Sequence, residues 1–518
     1  MPRLIRQSPA VARGSLIAVV LMINVATMPG IHYGGDPDAM REEARNIALH
    51  GSLAADPEMA THLGEPGQFF VLNPQDHRYY AKYGLMNSLM YVPPLFVERL
   101  LSAHVPVETN RLRLAILNYY NVALSVVIAA LLFQITGSYA QDPWARAAFV
   151  LASFYGTFLW NYLRAHSSEI FQVLHFLAFY FFFSRILRTL FPPEGKAPRP
   201  PRLLDLMLSW LFIDLLILTR VTYGLLLAAP WIGIGYAVLV ARRSSSATLC
   251  PRFLWSLLVP SLCILGTIGG VNWLKFGSPF LTGYHQWGGS GHTFRGDLHV
   301  AIYGFLFSVQ KSIFIHFPIL ALALIGYYAF AKRYAADTVL MLGIFLAFLI
   351  VIGKMPVWRG DWCYGPRYLL FVLPVLSLPF VTVLERWFAR PFRSSSQVGF
   401  VLSACVIGVS IGCQVEVNRL PFFTYFEILR PIEANMSVVA ADYFLNSHFA
   451  RINADLALVQ SDPDRLVYVR DSRKHYDNKF ISEYIERLKL NASIRNYYWR
   501  DYSFLGSLWR RFTSFSWL

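Results

Sequence analysis

The chain has 518 residues, 55% of them hydrophobic, 16% aromatic and only 15% charged, and its mean hydropathy is +0.41. A soluble protein of this size carries more charge, so the composition excludes an ordinary soluble domain and points to a polytopic membrane protein. The net charge of +15 does not require nucleic acid, because surplus Lys and Arg in membrane proteins gathers in cytoplasmic loops and against anionic lipid.

The N-terminus starts basic and stays apolar to about Met28 with no small-residue cleavage site, which predicts an uncleaved first span. Apolar runs long enough for a ~30 Å hydrocarbon core lie near 14–33, 113–135, 144–163, 168–188, 203–219, 222–241, 253–274, 313–331, 337–355, 367–384 and 398–415. These predict eleven spans. The segment 85–101 is ambiguous, and the basic clusters decide it. They are Arg3/Arg6/Arg13, Arg185/Arg188/Lys196/Arg199/Arg202, Arg242/Arg243/Arg252, Lys332/Arg333 and Arg386/Arg390/Arg393. If 85–101 does not cross, all five clusters fall on the cytoplasmic side; if it crosses, the last four move outside. Pro93-Pro94 near its middle also breaks helix hydrogen bonding, which is costly against lipid. We therefore expect an interfacial or re-entrant helix within one large external loop, 34–112.

Further external pieces follow: the turn "RAHSSE" at 164–169, the loop 275–297, the stretch "VWRGDWCYGPRY" at 357–368, and a polar C-terminal region, 416–518. The last ends in mixed aromatics and arginines that suit the membrane interface. The five cysteines show no metal-ligand spacing, so neither a zinc site nor a disulfide framework is expected.

In the first external loop, Asp36 before Pro37 can N-cap a helix that places Met40, Ala44, Ile47 and Ala48 on one face and stops at Gly51. Asp38 reads as a first-turn charge. Lys82 and Arg220 read singly as snorkelling cations, and Arg367 as an interfacial anchor. Taken together they place a carboxylate and several cations on one side, at the depth of lipid phosphates. Such a grouping suits a reaction on a lipid-linked phosphate, with Lys and Arg on the phosphate and Asp accepting a proton.

At this point the chain resembles the GT-C superfamily of polyprenyl-phosphate-sugar-dependent glycosyltransferases, over roughly the first four hundred residues. The resemblance rests on Asp36 in "GGDPDAMREEARNIALHG", Lys82 in "YYAKYGLMNSLMYVPP", "FGSPFLTGY" at 276–284, and "WRGDWCYGPRYLLFVLPVL" at 358–376. Asp361 stands where bacterial membrane transferases of this kind usually carry Gly. Aminoarabinose and protein mannosyl transferases have a lysine followed by Pro-Pro, whereas here Tyr83-Gly84 intervenes. The resemblance implies an all-α polytopic fold: a GT-C-like module over 1–415 with juxtamembrane helices in its external loops, then an external region, 416–518. It implies an inverting glycosyltransferase in a bacterial inner membrane, with its active site on the external, periplasmic face. Asp36 would be the base and Asp38 its fallback, while Lys82, Arg367 and Arg220 would hold the donor phosphate. His166, Glu169, Tyr80, Tyr284, His285, Trp287, Arg359, Asp361 and Tyr364 are candidates for lining the site. The expected partners are a polyprenyl-phosphate-linked sugar donor, a glycan, lipid or protein acceptor, and membrane lipid; nucleic acid is not expected. No cofactor is required, and a lone Asp near His166 is compatible with a divalent ion without demanding one. The competing classes are a transporter or flippase of a lipid-linked sugar, and an O-antigen ligase or polymerase. Inverted repeats or matched broken helices would favour a transporter, and the sequence shows neither.

Overall fold

A computed structural model describes residues 8–29, 35–62, 69–102, 104, 109–191, 201–233, 251–286, 294–308, 311–355, 358–360, 363–389 and 394–419. Six helices are long and apolar enough to cross a membrane. They are α1 (Pro9–Ala26), α6 (Thr109–Thr136), α9 (Glu169–Leu190), α11 (Pro251–Phe276), α16 (Ala335–Gly353) and α19 (Ser394–Arg419). The other five expected spans are shorter or interrupted. One is the 17-residue helix α10 (Leu203–Thr219). One is split into α7 (Pro143–Tyr155) and α8 (Leu159–Arg164), and one into α14 (Ile313–His316) and α15 (Pro318–Arg333). One begins as 3-10 helix at Val221–Leu227, and one is divided among Arg367–Leu369, α17 (Leu373–Leu376) and α18 (Pro379–Ala389). The breaks follow the sequence. Pro318, Pro374 and Pro379 lack the N–H that a continuous helix needs, and each instead sits in a first turn, where none is required.

The loop between α1 and α6, expected to be external, is built from short elements. It contains α2 (Asp36–His50), β1 (Ala54–Ala55), α3 (Pro57–His62), β2 (Phe70–Leu72), β3 (Tyr79–Ala81), α4 (Leu85–Leu89) and α5 (Val92–Ser102). The strands pair antiparallel in the order β1-β3-β2, with Phe70 opposite Ala81 and Val71 opposite Tyr80. This small sheet was not expected from the sequence, because strands of two or three residues leave no period-2 pattern to read. The segment 85–101 is two helices rather than one. Pro93 and Pro94 open α5 instead of breaking a longer rod, and eleven residues extend only about 16 Å, half a bilayer core. α5 packs against α2 and the start of α6, where Arg113 pairs with Glu98 at 2.9 Å.

The helix ends sort into two groups. At one end Arg185 meets Asp205, Arg188 meets Asp337, and the Tyr139 and Tyr180 hydroxyls bond at 2.7 Å. At the other end, α2, the sheet and α4 meet the ends of α9, α10 and α11. The charge count expects the second of these ends to be the external one. Cysteine placed at exposed Ser102 should react with an impermeant maleimide added from the external side of sealed vesicles. Reaction only from the cytoplasmic side would overturn this arrangement. The expected C-terminal region lies outside the described residues from 420 onward, as do Trp287, Asp361 and most of the basic loops expected on the cytoplasmic side.

Candidate functional site

Asp36 opens α2, but it is not the cap. Gly35 takes that position with φ 83°, a left-handed backbone that lets the helix begin one residue earlier than the sequence suggests. Asp38 then falls at N3 and supplies the capping box, accepting the Gly35 N–H at 2.9 Å, and its other oxygen pairs with Arg41. Asp38 is committed to the helix. Asp36 faces elsewhere and accepts a hydrogen bond from the Tyr83 hydroxyl.

Lys82 follows β3 and continues its ladder, donating its N–H to the Phe69 carbonyl at 3.0 Å. Its side chain is buried among aromatic rings. Nζ lies 5.7, 5.2 and 5.8 Å from the ring centres of Phe69, Tyr83 and Tyr284, within cation–π range. Two glycines make this possible. A Cβ at Gly84 would stand 2.1 Å from the Leu218 carbonyl oxygen, and one at Gly283 would stand 2.4 Å from Lys82 Cα. Any side chain at either position would push Lys82 away from the ends of α10 and α11. Asn87 secures the same junction by donating to the Thr219 carbonyl at 2.9 Å.

A small cavity opens here, bounded by Lys82, Arg220, Asn272, Lys275, Thr282 and Tyr284. Beyond it, Arg220 and Arg367 lie over the same ring, Tyr368, at 4.6 and 4.8 Å. Arg367 Nη1 stands 3.6 Å from Glu169, and Nη2 donates to the Tyr368 hydroxyl at 3.1 Å. Its buried Nε finds no hydrogen-bond partner among the described residues. The charge of Asp36 acts on Arg367, Tyr83 and Tyr284. Burial, reinforced by Asp36, holds the Tyr83 phenol well above its ordinary range. Burial also pushes Tyr284 up to about 12, against the pull of Arg220. Both phenols therefore stay protonated at neutral pH.

His166 is buried and serves the frame around the site. Its Nε2 lies 2.9 Å from Asn118 Oδ1, and its carbonyl accepts the Tyr91 hydroxyl at 2.7 Å. Three expected site residues lie elsewhere. Tyr80 packs with Val71 and Phe276 and gives its hydroxyl to Asp76 at 2.5 Å. Tyr364 is core: Phe158 and His316 surround it, and its hydroxyl accepts from Gln414 at 3.1 Å. His285 is exposed, with Nδ1 accepting the Thr282 N–H of its own turn at 3.1 Å. Arg359 is half-buried beside Gly360, whose missing Cβ makes room for Arg367 Nε.

Two buried groups escaped the sequence reading. Lys275, at the end of α11, pairs with Glu43 at 2.7 Å and donates to the Tyr83 carbonyl at 2.8 Å. Glu43 also accepts from Ser88 at 2.5 Å, and burial raises its carboxyl despite the pull of Lys275. Lys311 is fully buried and donates to the carbonyls of Cys363 and Gly365, fixing the turn that precedes Arg367. A terminal lysine reads as a snorkelling cation, and Glu43 in "REEARN" reads as one of several solvated charges. The available signal was its spacing: Glu43 shares the buried face of α2 with Met40 and Ala44.

No family model matches the chain, and no curated protein matches it. Among solved structures, it is similar to the archaeal oligosaccharyltransferase AglB from Archaeoglobus fulgidus, in complex with an inhibitory peptide and a dolichol-phosphate. The TM-score is 0.47 and the identity 11%, over 84% of this chain and 59% of that one. It is also similar to ArnT from Cupriavidus metallidurans bound to undecaprenyl phosphate, with TM-score 0.47 and 13% identity over 86% of this chain and 76% of that one. The chain spans about three fifths of the archaeal protein's length.

Proposed function

We propose that this chain is an inverting glycosyltransferase that moves a sugar from a polyprenyl-phosphate carrier to an acceptor hydroxyl on the outer face of the membrane. The observation that carries the reading is the meeting of Asp36 with Lys82, Arg220 and Arg367 where the external loop joins the helix ends. A carboxylate facing several cations matches the charge changes of such a transfer. Asp36 takes the acceptor proton as the acceptor oxygen forms its bond to the anomeric carbon. The bond from that carbon to the phosphate oxygen breaks, and the phosphate leaves with the electron pair. The cations stabilise the charge that grows on the leaving oxygen, and phosphate needs no general acid to depart. The buried phenols of Tyr83 and Tyr284 remain neutral donors beside it.

The donor side of this reading is tested by titrating undecaprenyl phosphate into purified protein. Lys82→Ala and Arg367→Ala should each weaken binding, because a lost charge-assisted contact to phosphate costs about 1.5–3 kcal/mol. If both variants bind it as tightly as the parent, the phosphate lies elsewhere.

A further inference from the structure

Tyr83 is held at both ends by groups tied to α2. Its hydroxyl donates to Asp36 Oδ1. Its carbonyl accepts from Lys275 Nζ at 2.8 Å, and Lys275 in turn pairs with Glu43 at 2.7 Å. Asp36 and Glu43 stand seven residues apart, two turns along the same helix face. The contacts form a closed circuit from Asp36 through Tyr83, Lys275 and Glu43 back to α2. Lys275 and Glu43 are both fully buried, so this circuit is anchored in a site that excludes water. The ring of Tyr83 does a separate job. It meets Tyr284 edge-on, with centres 6.4 Å apart, and stands 5.2 Å from Lys82 Nζ.

We infer that Tyr83 is the positioning residue of the Asp36 base. Its phenol fixes one carboxylate oxygen, so that Oδ2, which receives no hydrogen bond from the described residues, is the oxygen presented to the acceptor hydroxyl. An Asp side chain can rotate about two torsions, and a base acts only when its free oxygen faces the proton it must take. Binding to one oxygen removes that freedom before the acceptor arrives, which is the preorganisation a positioning residue provides. The hydroxyl and the ring therefore have separable duties: the hydroxyl aims Asp36, and the ring packs against the Lys82 ammonium.

This inference rests on Asp36 being the base, and the test separates the two. Purified protein is assayed for turnover against a panel of undecaprenyl-phosphate hexoses and pentoses, and for equilibrium binding of undecaprenyl phosphate. Tyr83→Phe keeps the ring and loses the hydroxyl. Turnover should fall by about 10- to 100-fold, the effect of losing one hydrogen bond to a charged group, while the Kd for undecaprenyl phosphate stays within about twofold. Tyr83→Leu should lose turnover to the same degree and also weaken undecaprenyl phosphate binding, because the ring beside Lys82 has gone. A merely structural Tyr83 gives the reverse pattern, with Phe close to the parent and only Leu impaired. That pattern overturns the inference while leaving the base intact, provided Asp36→Asn is inactive. An active Asp36→Asn removes the base itself.

Discussion

An Asp36→Asn protein is expected to bind undecaprenyl phosphate like the parent and to turn over roughly 10²–10⁴-fold more slowly. The geometry makes this substitution unusually clean. Asp38, not Asp36, caps α2, so the helix start does not depend on the exchanged group. Asn retains an oxygen that can accept from the Tyr83 hydroxyl, so the local shape also survives. What Asn lacks is a second basic oxygen to take a proton. Asp38→Asn should behave differently. It weakens the pair with Arg41 and the capping box, effects that act on the stability of α2 rather than on turnover. Near-parental turnover by a correctly folded Asp36→Asn would remove Asp36 from the reaction and move attention to Glu169, which touches Arg367.

The largest effect on stability is expected at the Glu43–Lys275 pair. Both side chains are fully buried, so neither charge can turn to water when its partner is removed. Glu43→Ala or Lys275→Ala should each cost about 3–5 kcal/mol, seen as a large fall in the thermal midpoint of the detergent-purified protein. The double replacement Glu43→Leu/Lys275→Met should recover most of that loss, because an apolar pair of similar volume leaves no buried charge alone. Recovery will be incomplete, since the Tyr83 carbonyl and the Ser88 hydroxyl lose their partners. If the single variants unfold at the parental temperature, the pair does not hold the loop to α11.

The parts of the site that were legible in the sequence are those where a charge interrupts an apolar context. Asp36, Lys82, Arg220 and Arg367 stand at the ends of apolar runs, and topology by positive charge places them on one side before any coordinates are known. The structure brings these four together. The fold's helices were equally legible as apolar runs, whereas their interruptions at Pro318, Pro374 and Pro379 were read through. An apolar run does not say whether its backbone is continuous. Lys275 and Lys311 were invisible, and Glu43 legible only as a member of the buried face of α2, for a different reason. Their meaning comes from partners up to 232 residues away in the chain, such as Glu43 for Lys275, and no local pattern carries that information. Tyr80 stands two residues before Lys82, yet its partners are Val71, Phe276 and Asp76, and the sheet that sets them was too short to foresee.

The shared ring of Tyr368 has one more consequence. Two guanidiniums lie over a single phenol, each within 5 Å of its centre, and each acts unfavourably on the other. Glu169 beside Arg367 offsets part of that repulsion, and an anion bound between the two arginines would offset more. On the proposed function, a bound phosphate would therefore stabilise the folded protein as well as react, and the thermal midpoint should rise with added phosphate.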